Sequence, residues 1–183
     1  MKSQFLAAVA RAPIGDPLRS DVLFGPVINQ AAADRILKTI ERAVTQGFGE
    51  LVLGGNRIGG ELAAGFYVEP TVFADVDNSS PLAQQETFGP VVSVMRFSDD
   101  AQAVDLANDT RYGLNAFVHT TNLQRAHTVS RLLQAGSVWV NTRSDIQPQS
   151  PYGGYKHSGI GRSGGVEGLR EFRQTKNIRI KVS

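Results

Sequence analysis

Residues 84–92 read Gln84-Gln85-Glu86-Thr87-Phe88-Gly89-Pro90-Val91-Val92, and the fold is read outward from them. The stretch follows a turn-forming run, Asp77-Asn78-Ser79-Ser80-Pro81, and leads into an apolar segment that ends at Phe97. A near-continuous apolar run of this length is expected of a strand covered on both faces. One acid, Glu86, and one aromatic, Phe88, thus stand two residues apart at the mouth of a buried strand. By itself a carboxylate before a strand is a cap or a solvent-facing group.

Upstream, residues 3–11 place Phe5, Ala8 and Val9 on one helical face, and the pattern stops at Pro13. Residues 30–46 form the clearest helix, with Ile36, Leu37, Ile40, Ala43 and Val44 on one stripe and Gly47 placed to end it. Glu50 to Leu53 is a short strand, and a glycine-rich loop runs from Gly54 to Gly65. Phe66 to Val76 is extended but broken by Pro70, which suits an edge or a strand junction. Downstream, Ser98 is expected to cap a helix that has Asp99 and Asp100 in its first turn and reaches about Asn108. Leu114 to His119 is the next strand. A helix over 122–135 turns Leu123, Ala126, Val129, Leu132 and Leu133 inward and closes at Gly136, and Ser137 to Val140 is again a strand. This alternation, with short links, implies an α/β fold: an open parallel sheet with flanking helices and right-handed crossovers. Pro148 to Gly165 has neither period and is a long loop, ordered or disordered. A short helix around 166–173 follows. The tail Asn177-Ile178-Arg179-Ile180-Lys181-Val182 alternates strictly, as a half-buried strand does.

Composition narrows the function. Hydrophobic residues make up 41% and charged residues 20% of 183 residues, ordinary globular usage that fits one domain with room for a core. A net charge of +2 does not describe a nucleic-acid binder. The terminal basic residues Arg170, Arg173, Lys176, Arg179 and Lys181 alternate with apolar ones and read as a solvated face. With no apolar leader at Met1-Lys2-Ser3-Gln4-Phe5 and no run long enough to span a bilayer, the expectation is a soluble, cytoplasmic protein without membrane contact. Zero cysteines remove disulfides, thiolate metal sites and thiol catalysis from these residues.

Several motifs carry less than their letters promise. Gly159-x-Gly161-x-x-Gly164 matches the dinucleotide fingerprint, yet no strand precedes it and no acidic residue closes a second strand, so a loop entering a helix is the better account. Gly54 to Gly60 lacks the Lys-Ser/Thr of a P-loop. His119, His127 and His157 show no metal-ligand spacing, so no metal site is expected. Ser144 and Ser158 have no adjacent base and no G-x-S-x-G context.

Three segments in order, Tyr67-Val68-Glu69-Pro70-Thr71-Val72-Phe73, Glu86-Thr87-Phe88-Gly89-Pro90 and Pro151-Tyr152-Gly153-Gly154-Tyr155-Lys156-His157-Ser158-Gly159, resemble the C-terminal half of the aldehyde dehydrogenase superfamily. The resemblance runs from about Pro13 to the end. It implies residues 1–176 as part of the family's catalytic domain and residues 177–183 as the strand that the family uses in oligomer assembly. It also implies NAD or NADP as cofactor, with Glu86 accepting hydrogen bonds from the nicotinamide ribose and Phe88 packing near the nicotinamide. An ionised carboxylate, which only accepts hydrogen bonds, suits two ribose hydroxyls. Asn141 after Val138-Trp139-Val140 matches the family's corner at the substrate tunnel, and Ile146 and Tyr152 match its variable substrate-lining positions.

The chain departs from the pattern at Gln85, where a second acid is common, and at Ser163, where an acidic residue usually follows Gly161-Arg162. The family's nucleophile cysteine and general-base glutamate have no counterpart here, and neither does its cofactor domain, so no catalytic residue is expected in this chain. The implied function is therefore a portion of an NAD(P)-dependent aldehyde-oxidising enzyme, inactive alone. The alternative is a non-catalytic oligomeric or binding module. Expected partners are a missing N-terminal half or further copies of the chain, a dimer first.

Overall fold

The structure, a computed structural model, describes residues 2–143 and 145–182. The chain divides into two compact units, Met1–Arg96 and Phe97–Ser183.

The first unit is built on one helix and one strand. After the short helix α1 (Lys2–Ala10), helix α2 spans Gln30–Thr45. The Asn29 side chain caps α2 by accepting from the Ala32 N–H at 2.8 Å. The helix ends before Gly47, whose φ of +66° is the left-handed conformation glycine tolerates. Its inner face buries Ile36, Ile40 and Ala43 as the sequence indicates, together with Ala33, whereas Val44 is exposed. This face packs on a sheet of β1 (Glu50–Leu53), β2 (Thr71–Ala74) and β3 (Val91–Ser93), in that order.

Strand β2 is central and fully buried, pairing antiparallel with β1 and parallel with β3 in the register Thr71↔Val91, Val72↔Val92 and Phe73↔Ser93. Pro70, with no N–H to give, therefore marks a junction just before a central strand rather than an edge. Buried Thr71 is satisfied: its hydroxyl donates to the Glu69 carbonyl at 2.8 Å and accepts the Gly55 N–H at 3.0 Å. The expected strand 91–97 is shorter and barer than its apolar run implies. The ladder takes in Val91–Ser93, Val94 adds backbone bonds to Phe73 and Val76 at 2.8 and 3.2 Å, and Val92 and Phe97 are exposed; among the described residues β3 has a partner on one side only.

In the second unit α4 (Asp100–Asn108), β4 (Asn115–Val118), α5 (Leu123–Leu132) and β5 (Ser137–Val140) follow in turn, after the one-turn helix α3 (Pro81–Gln84) of the first unit. Strands β4 and β5 pair in parallel from Asn115↔Ser137 to Val118↔Val140, and Phe117 stacks on Trp139 with ring centroids 5.2 Å apart. The molecule is thus α/β, with parallel strand pairs flanked by helices.

The cap of α4 is Asp99, not Ser98: its carboxylate accepts the Gln102 N–H at 2.9 Å, while the Gln102 side chain accepts the Ser98 N–H at 2.6 Å. Helix α5 ends three residues earlier than 135, and of its expected inward residues only Ala126 is fully buried; Leu123 and Leu132 lie exposed. Gly136 does not close the helix either, since Leu133 already leaves it in extended conformation. Its requirement is close approach, for a methyl group there would overlap the Gly153 carbonyl. The 148–165 loop is ordered, with a 3-10 turn at Lys156–Ser158, and leads into α6 (Gly165–Glu171). Residues 177–182 join no ladder among the described residues, and Ile178, Ile180 and Val182 are exposed. Among the described residues no helix is long and apolar enough to cross a membrane.

Candidate functional site

Glu86 and Phe88 sit on the connection between α3 and β3, in the first unit. The connection is pinned from both sides. The Arg35 guanidinium on α2 donates to the Thr87 carbonyl, and the Pro90 carbonyl accepts the Thr71 N–H at 2.8 Å. Between them, Gly89 presses so closely on Ile36 that a Cβ would lie 2.5 Å from its Cδ1. With Thr87, Gly89 and Pro90 held down, the side chains of Glu86 and Phe88 beside them are turned to solvent: Glu86 is exposed and Phe88 is 79% exposed.

Phe88 also adopts φ +48°, a left-handed backbone that costs a non-glycine residue on the order of 1–3 kcal/mol. Backbone strain of this kind persists only where the surrounding contacts over-determine it. Among the described residues the Glu86 carboxylate has no hydrogen-bond or ion-pair partner, so its oxygens are free to accept.

Asn141, Ile146 and Tyr152 lie in the second unit. Asn141 follows β5 with φ +53°, and its side chain is fully used: Oδ1 accepts the Thr120 N–H at 2.9 Å and Nδ2 donates to the Thr120 carbonyl at 2.8 Å. Its own N–H reaches the Val118 carbonyl at 2.9 Å, so Asn141 ties the C-terminal ends of β4 and β5 together. Ile146 is exposed on the loop that follows. The Tyr152 hydroxyl accepts from Asn115 Nδ2 at 3.2 Å, at the opposite end of the β4–β5 pair, and its backbone pairs with Ser163 through bonds of 2.7 and 2.8 Å. Asn141 and the Tyr152 hydroxyl therefore work at opposite ends of the strand pair.

Ser163, standing where an acid was expected, donates its hydroxyl to the Tyr152 carbonyl at 3.2 Å. Gly159, Gly161 and Gly164 all take positive φ in the turns before α6, which agrees with a loop entering a helix. The three histidines are exposed. Sequence reasoning missed Arg35 and Thr120; each acts on a site segment through the backbone, 52 and 21 residues away in sequence, which no local pattern signals.

The chain matches the aldehyde dehydrogenase family over residues 1–178, and it belongs to that family. It is 38% identical over 180 residues to an aldehyde dehydrogenase of Emericella nidulans and 40% identical over 179 residues to one of Alternaria alternata. Either match takes in 98% of this chain but 35% of the relative, so the chain spans about a third of the length of these relatives. Among solved structures it resembles a point mutant of betaine aldehyde dehydrogenase from Staphylococcus aureus in complex with NAD+, at TM-score 0.90, 36% identity, and coverage of 93% of this chain and 35% of that one. It also resembles aldehyde dehydrogenase C from Pseudomonas syringae, a mutant complexed with NAD+ and octanal, at TM-score 0.89 and 38% identity over 96% of this chain and 36% of that one.

Proposed function

We propose that the chain is the part of an NAD(P)-dependent aldehyde dehydrogenase that grips the nicotinamide end of the cofactor and builds one wall of the aldehyde site. The observation that carries this reading is the pinned connection around residues 85–90, which leaves the Glu86 carboxylate unengaged and the Phe88 ring in solvent. Those groups fit a ribose and a flat heterocycle: two free acceptor oxygens for vicinal hydroxyls, and an aromatic face beside them. When bound, NAD(P) would supply the hydride acceptor for oxidation of an aldehyde to a carboxylic acid.

Asn141, Ile146 and Tyr152 would contribute to the substrate wall, Asn141 by holding the start of the 142–151 loop and Tyr152 by its ring. With no cysteine in the sequence, the thiolate nucleophile, the general base and the adenine side of the cofactor site would come from residues outside these 183, and the chain alone would be inactive. A cytoplasmic location is part of the same proposal.

A second reading, a non-catalytic assembly module, draws on a different observation. Ile178, Ile180 and Val182 stand exposed on a strictly alternating tail whose backbone joins no ladder among the described residues. In either reading a homo-oligomer is expected, a two-fold dimer first.

Two measurements test these readings. The pure chain should give no aldehyde-dependent NAD(P)H above a blank; formation that Glu86→Ala abolishes would overturn the inactivity. Light scattering should give a mass above the monomer; a monomer mass unchanged on deleting residues 177–183 would end the assembly reading.

A further inference from the structure

We propose that Lys156 is a positioning residue: it pegs the 148–165 loop onto the carbonyl end of α4 and so fixes the placement of Tyr152. The proposal rests on the reading of Tyr152 as a substrate-wall residue. Its physical basis is separate.

Lys156 has φ +52°, a backbone conformation that L side chains rarely adopt and that persists only where surrounding contacts over-determine it. Those contacts are present on every side. The flanking N–H groups are both spent on the segment that follows α4: Tyr155 donates to the Gly113 carbonyl at 2.8 Å and His157 to the Arg111 carbonyl at 2.9 Å. One residue further, the Ser158 hydroxyl accepts the Gly113 N–H at 2.9 Å.

The Lys156 ammonium then reaches the Asn108 carbonyl at 2.6 Å and the Thr110 carbonyl at 3.0 Å. Asn108 is the last residue of α4, so a cation there meets the negative end of the helix dipole, at a carbonyl that also accepts the Thr110 N–H at 2.8 Å. Asn108 is itself a junction. Its Nδ2 donates to the Leu132 carbonyl at 2.9 Å and its Oδ1 accepts the Gln134 N–H at 2.7 Å, which joins the ends of α4 and α5. The lysine thus fastens the loop to a point that two helices already share.

Placement passes from Lys156 to Tyr152 through a short, tight path. Gly154 is buried, and a Cβ on it would strike Ser158. The Arg162 guanidinium donates to the Gly154 carbonyl at 3.1 Å and lies 5.5 Å from the Tyr155 ring centroid. Beyond Arg162, Ser163 pairs with Tyr152 itself. Few apolar side chains are buried in this unit, so the loop is held by hydrogen bonds, and the two from the Lys156 ammonium are charge-assisted.

Amide hydrogen exchange on the full chain tests this without aldehyde or cofactor, so failure of the substrate-wall reading leaves its outcome intact. In Lys156→Met, which keeps the stem and removes the charge, exchange at Tyr152, Tyr155, His157, Ser163 and Gly113 should rise about tenfold while α2 and β2 are unchanged. Lys156→Arg should recover most of the protection. Unchanged exchange in Lys156→Met, an equal rise in both variants, or a rise spread evenly over the whole chain would each overturn the proposal. Should Lys156→Met not fold, Lys156→Gln decides: faster exchange confined to Gly113 and residues 152–163 supports the strap, and no change refutes it.

Discussion

In the first unit Ala33, Ile36, Ile40 and Ala43 of α2 and Phe73 of β2 form one buried cluster with Val68, Val76 and Leu82. In the second unit Val104 and Ala126 are the only apolar side chains buried to that degree among the described residues, while Leu123, Leu132, Val166, Leu169 and Phe172 are bare. The two regions have similar lengths but different cohesion. One closes an apolar core, worth roughly 25 cal/mol for each Å² removed from water. The other is laced by bonds from Asn108, Lys156, Ser158 and Arg162 to backbone groups, each worth about 1 kcal/mol net or somewhat more when charged. Cohesion through polar straps leaves a loop well placed but little apolar area hidden.

The sharpest way to break this comparison is Phe73→Ala. Phe73 is fully buried at the centre of β2, and its truncation should cost about 3–5 kcal/mol, read as a lower urea midpoint with protection lost first in α2 and β2. A cost under about 1 kcal/mol would mean that the first core is not what holds that unit. Gly136→Ala tests the second unit in kind. Its methyl group would meet the Gly153 carbonyl, so overpacking by about 1–3 kcal/mol should appear as faster exchange in the 148–165 loop.

Asn29→Ala and Asn122→Ala form a matched pair, because each asparagine caps one long helix, α2 or α5, through its side chain. Each should cost about 1 kcal/mol. A much larger loss at Asn122 would show the second unit to be the more marginal. The smallest expected effect is acid dependence. Asp77, accepting the Ser79 N–H, and Asp99, accepting the Gln102 N–H, both hold their carboxyls below the ordinary aspartate value. A lowered folded-state pKa stabilises fully above about pH 4 and is lost as pH falls through the lowered values. Both groups are exposed, so the urea midpoint should slip only slightly, in the same window for both units.

Legibility followed the range of the forces. Helix α2 was readable because its stripe, its cap Asn29 and its stop Gly47 all lie within one short window. The cap of α4 was misplaced by one residue because Ser98 and Asp99 are both good caps, and only the backbone turn selects between them. Apolar content implied that 91–97 would be covered on both faces and that Leu123 and Leu132 would face inward. Burial depends on what lies opposite, which a local pattern does not contain. At the candidate site the residue types were legible, but the use of the Asn141 amide as a clamp on Thr120 was not.

The sequence by itself determined the alternation of helix and strand, the loop character of 148–165, the absence of a thiol and the family to which the chain belongs. These follow from local propensity, from composition and from motifs whose letters lie side by side. Only the tertiary structure decided that β2 is central, that Arg35 and Gly89 hold the connection that turns Glu86 and Phe88 outward, and that Asn141 and the Tyr152 hydroxyl work at opposite ends of one strand pair. Each of these depends on contacts between residues distant in sequence, whose partners are fixed by packing and by the need to satisfy every buried backbone group.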